Sequence, residues 1–384
     1  MQKRIPAVLM RGGTSKGMFF HADHLPADQK IRDAVILAAF GSPDPNRRQI
    51  DGVGGAVSTT SKVAIISGSD SPDYDVVYHF GQVSIDRPIV DFKGNCGNIS
   101  SAVGPFAVDE GLVPAVEPIT RVRIHQKNTN KLITAEVPVK DACFNEEGDY
   151  EISGVPGSGG KIALHFFDPG GSLTGKLFPT GRVKDTLEVP AIGQIELTII
   201  DAANPVVLVQ AADLGLEGTE IEKIDTEQTI KSHLENIRCT ATVEIGLSAT
   251  MQEAAQRSQA VPKIALVTTS KSYRTLSGRV VDAAEVDLVA RIMSMGSLHK
   301  SFAVSGAIAT AGAAVIPGTV VHGLMKTAEQ KKEMIKIGHP GGIIEVGATV
   351  EEKDGIFHYR EAALGRTARR LMEGHVLVPE KYFT

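Results

Sequence analysis

Two stretches decide how this sequence folds. One is Cys96-Gly-Asn-Ile-Ser-Ser-Ala-Val-Gly-Pro-Phe-Ala-Val-Asp-Glu-Gly-Leu-Val-Pro114; the other is His299-Lys-Ser-Phe-Ala-Val-Ser-Gly-Ala-Ile-Ala-Thr-Ala-Gly-Ala-Ala-Val-Ile-Pro317. They begin and end 203 positions apart, and each reads as a small-residue helix entered from a loop and closed by proline. Upstream, Lys62-Val-Ala-Ile-Ile-Ser67 lies on Lys263-Ile-Ala-Leu-Val-Thr268 at an offset of 201, and the strand around Ser15 on that around Asn204 at 189. Downstream, Leu132–Val137 lies on Ile343–Ala348 at 211. Four matches in one order with slowly drifting offsets predict an internal duplication. Its boundary falls near residues 180–195, giving domains 1–185 and 186–384, with the last ~20 residues able to pack on the first. Each half reads as strands, a buried small-residue helix, then more strands; Ala, Gly and Ser let a sheet wrap closely around such a helix. The regular strand–helix alternation of a doubly wound sheet is absent.

Composition narrows the function. The 384 residues are 42% hydrophobic and 22% charged, an ordinary globular balance. With 40 basic against 45 acidic residues, a net charge of -5 argues against nucleic acid as partner. Three scattered cysteines (Cys96, Cys143, Cys239) encode neither a disulfide framework nor a cysteine zinc site. The histidines lack metal-ligand spacing, so no metal is expected. The N-terminus has no signal-peptide core, and Phe302–Val321, broken by Pro317-Gly318, reads as a buried helix ending at Ile316 rather than a membrane span. A cytoplasmic protein without membrane partner, assembled as a homo-oligomer (dimer or tetramer), is the expectation.

Several clusters carry chemistry. Arg11-Gly-Gly-Thr-Ser-Lys-Gly17 joins two apolar strands; its glycines permit close backbone approach, and Arg11, Thr14, Ser15 and Lys16 offer donors to a carboxylate or phosphate. A polar hairpin loop explains the same pattern. No Walker A reading survives, since no Gly-Lys-Ser/Thr triplet follows it and Ile162 stands after Gly157-Ser-Gly-Gly-Lys161. Gly94-Asn95-Cys96-Gly97-Asn98 precedes a helix read over Ile99–Asp109, where N–H groups favour a thiolate and bind anions. The alternative is a small residue in a turn. Lys62 enters an apolar strand, either as a solvated strand end or as a desolvated base. In the second half, Asn204 stands where the first has Ser15, and His299-Lys300-Ser301 where it has Cys96-Gly97-Asn98. Gly338-His339-Pro340-Gly341 reads as a turn.

These motifs, with Asp168-Pro-Gly-Gly-Ser172 and Thr174-Gly175, resemble the PrpF-type isomerases over essentially the whole chain. That group contains methylaconitate isomerase, 3-methylitaconate Δ-isomerase and 4-oxalomesaconate tautomerase. The resemblance implies the diaminopimelate epimerase-like α/β fold: two topologically similar domains, each a curved sheet around a central helix, with the active site in the cleft between them. It also implies a cofactor-free allylic proton shift in an unsaturated di- or tricarboxylate. It points to Lys62 and Cys96 as the proton-transfer groups, and places Ser15 and His299 on active-site positions. Asn204, Lys300 and His339 are expected to hold substrate, together with Arg11, Lys16, Asn95, Asn98 and Ser301. Racemases of this fold use a cysteine from each half; here His299 occupies the second position, which tells against a symmetric two-thiol mechanism. 3-Methylitaconate is the expected substrate, methylaconitate or 4-oxalomesaconate the alternatives. Two other readings compete: an accessory protein to an aconitase-like enzyme, and an amino-acid epimerase of the same fold.

Overall fold

The computed structural model describes residues 1–325 and 334–384. Two compact units divide the chain: Met1–Leu164 with Gly365–Thr384, and His165–Leu364. The division thus lies at 164/165, earlier than the 185/186 drawn from the repeat, because the segment Gly171–Thr174 wraps the buried Asp201 of the second unit.

In the first unit, β1 (Gln2–Gly12) and β2 (Ser15–His21) form a tight hairpin with Gly12 opposite Ser15 and Arg11 opposite Lys16. The helix α1 (Gln29–Phe40), capped by the Asp28 carboxylate and ended at Gly41 in the left-handed region, then makes the crossover that a parallel pair requires. β3 (Lys62–Gly68) runs parallel to β2, with Lys62 opposite Gly17, and antiparallel to β4 (Val76–Val83), with Lys62 opposite Gln82. Its apolar residues are consecutive rather than alternating because both of its faces are covered. β4 pairs parallel with β5 (Ile119–Gln126), which forms a hairpin with β6 (Lys131–Lys140). The C-terminal strand Ala368–Pro379 covers the other edge of β1. Between β4 and β5 come α2 (Gly97–Ser100) and α3 (Val103–Asp109); α2 touches β1 and β2, α3 touches β5 and β6.

The second unit repeats this order. β7 (Gly193–Ala202) and β8 (Asn204–Gln210) form the hairpin, and α4 (Gln228–Glu244) makes the crossover. β9 (Lys263–Thr269) pairs parallel with β8 and antiparallel with β10 (Leu288–Ser294). β11 (Met334–His339) pairs parallel with β10 and forms a hairpin with β12 (Gly342–Lys353). Val206 faces Lys263 in β8–β9 as Gly17 faces Lys62 in β2–β3, so the duplication holds down to strand register. α5 (Val304–Val315) is buried over Val304–Ala314 and touches β7, β8, β11 and β12. A helix meeting both ends of the strand order requires a sheet curved around it.

Small residues permit that closeness. A Cβ added at Gly312 of α5 would lie 2.5 Å from Tyr359 Cε1, and Tyr359 is fixed by donating its hydroxyl to the Ile308 carbonyl at 3.0 Å. Gly312→Val is therefore expected to lower unfolding free energy by at least about 1–3 kcal/mol, the usual cost of overpacking. Thermal unfolding at the wild-type Tm would contradict this packing. Among the described residues no helix is long and apolar enough to cross a membrane.

Candidate active site

Lys62 and Cys96 come together in the first unit. Lys62 opens β3 and is 7% exposed. Its Nζ donates to Gln82 Oε1 at 2.5 Å and lies 5.2 Å from the Phe80 ring centroid. Cys96 is its second polar neighbour. Burial pulls the Lys62 pKa below the ordinary lysine value, and a Cys96 thiolate opposes that shift. Such a lysine is a free amine at lower pH than a solvated one.

Cys96 is the half-buried N-cap of α2. The single helix expected over Ile99–Asp109 is instead two short ones. Pro105 has no N–H to offer the Ser101 carbonyl and its ring crowds that group, so the chain breaks at Ser101–Ala102 and restarts at Val103. Cys96 therefore stands at the start of one four-residue turn, its side chain making no capping bond, and not at the pole of a long helix.

The loop Arg11–Gly17 is docked onto this segment. A Cβ at Gly12 would lie 2.5 Å from the Asn98 carbonyl oxygen, one at Gly13 (φ +50°) 2.3 Å from Asn98 Oδ1, and one at Gly17 2.6 Å from the Lys62 carbonyl oxygen. Thr14 N–H donates to Asn98 Oδ1 at 3.3 Å, and Ser100 Oγ donates to Asn95 Oδ1 at 3.3 Å, so both asparagines shape the Cys96 segment. Arg11 Nη1 donates to the carbonyls of Gly13 and Thr367 and to Thr367 Oγ1 at 3.0–3.1 Å, stapling the loop to the residue just before the C-terminal strand. Ser15 is 3% exposed, and its Oγ makes no hydrogen bond among the described residues. A buried unpaired hydroxyl in a native fold calls for an explanation. Ser15 also stands in the wall of a cavity of about 790 Å³, together with Arg11, Lys16, Thr60, Glu146 and Arg369. Lys62 and Cys96 are not among its wall residues.

The second-unit residues gather around the entry to α5. Asn204, fully buried at the start of β8, donates Nδ2–H to Ser305 Oγ at 2.9 Å. His299, also buried, donates its backbone N–H to the Ile292 carbonyl at 2.9 Å and accepts from Ser301 N–H on Nδ1 at 3.2 Å. Residues 299–303 stand outside the helix, which starts at Val304 with Ala303 as N-cap. His299 is thus not at a helix start as Cys96 is, contrary to the expectation from the repeat. His339 is buried at the end of β11, accepts from Gly341 N–H on Nδ1 at 3.1 Å, and has its ring 6.3 Å from that of Phe302. Lys300 turns outward, 58% exposed, in an ion pair with Asp225.

Other residues divide from the site. Cys143 is exposed; Cys239 is buried in α4, where burial pushes its thiol up to about 12. The Asp201 carboxylate accepts from Ser172 Oγ, Leu173 N–H, Thr174 N–H and Thr174 Oγ1, which gives the Asp168–Gly175 motif a structural purpose. Gln82 is a further residue of this cluster that the sequence does not mark. Nothing in its spacing marks it, because it meets Lys62 only through the β3–β4 register.

A family model described as PrpF protein matches residues 2–379. The chain is 48% identical over 379 residues to a 3-methylitaconate isomerase of Eubacterium barkeri, covering 98% of each. It is 43% identical over 391 residues to a 2-methyl-aconitate isomerase of Shewanella oneidensis, covering 99% of this chain and 98% of that protein. The crystal structure of a methylitaconate Δ-isomerase superposes with a TM-score of 0.80 at 47% identity, covering 100% of this chain and 97% of that one. A hydroxyproline epimerase from Agrobacterium vitis, at 14% identity and a TM-score of 0.54 over 98% and 94% of the chains, shares the fold alone.

Proposed function

This chain belongs to the PrpF protein family, and from that premise we propose that it is an isomerase moving a C=C bond by an allylic (1,3) proton shift, with 3-methylitaconate converted to 2,3-dimethylmaleate. The observation that carries the proposal is the buried Lys62 with Cys96 as its hydrogen-bonding neighbour. The substrate choice is supported by the higher identity to the Eubacterium barkeri protein.

The reaction removes a proton from the carbon bearing the methyl group, alpha to a carboxylate, and adds one to the terminal CH₂ two bonds away. The electron pair left behind moves through the double bond, and the intermediate charge spreads onto the adjoining carboxylate. Lys62 and Cys96 are the proton carriers in this reading. Two adjacent groups can address two carbons of one allyl unit, one accepting as the other donates. Backbone N–H groups at the start of α2 are suited to stabilise the carboxylate charge as it develops, and the Ser15 hydroxyl to hold a substrate carboxylate equally in the ground and transition states. No cofactor is needed, because the carboxylate itself is the electron sink. Asn204, His299, Ser301 and His339 are proposed as substrate holders of the second unit; Lys300, tied to Asp225, has a weaker claim. Working as a homo-oligomer in the cytoplasm on small unsaturated carboxylates remains part of the proposal.

Ser15→Ala removes a hydrogen bond to a charged group, worth about 1.5–3 kcal/mol. KM should rise roughly tenfold or more, with kcat changed less; an unchanged KM would contradict the assignment. The proposal as a whole is tested by ultraviolet assay of 3-methylitaconate, 2-methylaconitate and 4-oxalomesaconate. The highest kcat/KM is expected on 3-methylitaconate. A higher value on another transfers the assignment to that substrate, and no turnover of any favours an accessory role.

A further inference from the structure

Lys62 leans on a protein acceptor, Gln82, whose own orientation is dictated by its surroundings. Gln82, 5% exposed on β4, donates from Nε2 to two backbone carbonyls, Ser58 at 3.1 Å and Ser61 at 3.0 Å. Both amide protons are therefore committed to acceptors that cannot donate. Turning the carboxamide over would set its oxygen against two carbonyl oxygens, so Oε1 must face Lys62 Nζ. The support extends further: Ser61 Oγ donates to Gln49 Oε1 at 2.6 Å, and the buried Gln49 donates to Ser42 Oγ at 2.9 Å. Val83 N–H shares the Ser61 carbonyl at 3.0 Å.

We infer that Gln82 is the positioning residue of Lys62, a neutral acceptor with one allowed orientation that aims the rest of the amine away from β4. An acceptor engages an N–H and never the lone pair. When Lys62 is neutral, its lone pair must then point elsewhere, and when charged, its remaining protons must. Neutrality matters as much as direction. A carboxylate at the same place would hold Lys62 as an ammonium, whereas an amide accepts from both forms and leaves proton exchange possible. This rests on Lys62 being a proton carrier, as proposed above.

The test is the pH profile of kcat/KM for the wild type, Gln82→Glu and Gln82→Met, with circular dichroism confirming the fold of each. Gln82→Glu turns one carboxyl oxygen towards the Ser58 and Ser61 carbonyls, which oppose its charge, and the other towards Lys62; as the ion pair with Lys62 forms, it should raise the pKa of the limb contributed by Lys62 by about 1–3 units. Gln82→Met removes the acceptor from a buried amine and should move the same limb down, with kcat reduced about tenfold or more, the loss expected for one hydrogen bond to a charged group. Opposite shifts in two variants of similar size are not produced by a general loosening. An unmoved limb in either folded variant overturns the inference, so each decides alone. Lys62→Ala separates the two layers: if it keeps normal turnover, the catalytic reading of Lys62 fails; if it is inactive while the Gln82 limb stays put, only this inference fails.

Discussion

Cys96→Ala and Lys62→Ala are each expected to lower kcat by at least about 10², the lower end of what a positioned acid–base group contributes, while both variants stay folded. Alanine at 96 keeps the backbone of the α2 N-cap, whose side chain makes no capping bond, so the helix start survives. Alanine at 62 keeps the strand pairs with Gly17 and Gln82, which are backbone contacts. The losses should not multiply. If the two groups hand one proton shift between them, removing either disables the unit, and the double variant should fall little below the weaker single one. Steady-state kinetics with unfolding curves on all three variants checks this. Near-normal turnover in either single variant would remove that residue from the mechanism.

Asp201→Ala should have the largest effect on stability. Its carboxylate is fully buried and accepts from two backbone N–H groups and two hydroxyls of Ser172–Thr174. Each buried donor left unpaired costs about 1–3 kcal/mol, so a loss of at least about 3 kcal/mol is expected. Urea unfolding measures it. The catalytic parameters of the surviving folded fraction should change little, since Asp201 is given no part in proton transfer. A variant as stable as the wild type would show that the Asp168–Gly175 segment is not held by this residue.

The duplication was legible because both copies retain an apolar strand and a small-residue helix in fixed order. Gly17 facing Lys62 and Val206 facing Lys263 show that the offsets reflected real register. The crossover helices α1 and α4 went unread, although Asp28 and Gly41 are ordinary cap residues and parallel strands demand a crossover. Reading the halves as strands around one helix hid that need. The Cys96–His299 equivalence was legible only as an alignment. The bond from Ser301 N–H back to His299 Nδ1, in the stretch before α5, is a local geometry that matching positions cannot show. Pro105 carries the signal that the first-half helix breaks. Gln82 was invisible for a different reason: a strand glutamine is unremarkable until the register sets it opposite a buried lysine.

This chain is expected to carry a proton from one carbon of an allylic carboxylate to another. Proton NMR of 3-methylitaconate with the purified protein in D₂O tests it most directly. The expected result is loss of the vinylidene signals and appearance of 2,3-dimethylmaleate, with solvent deuterium in the newly formed methyl group because Lys62 and Cys96 exchange with water. A substrate that remains both unrearranged and undeuterated, alone and with 2-methylaconitate and 4-oxalomesaconate run in parallel, would contradict it.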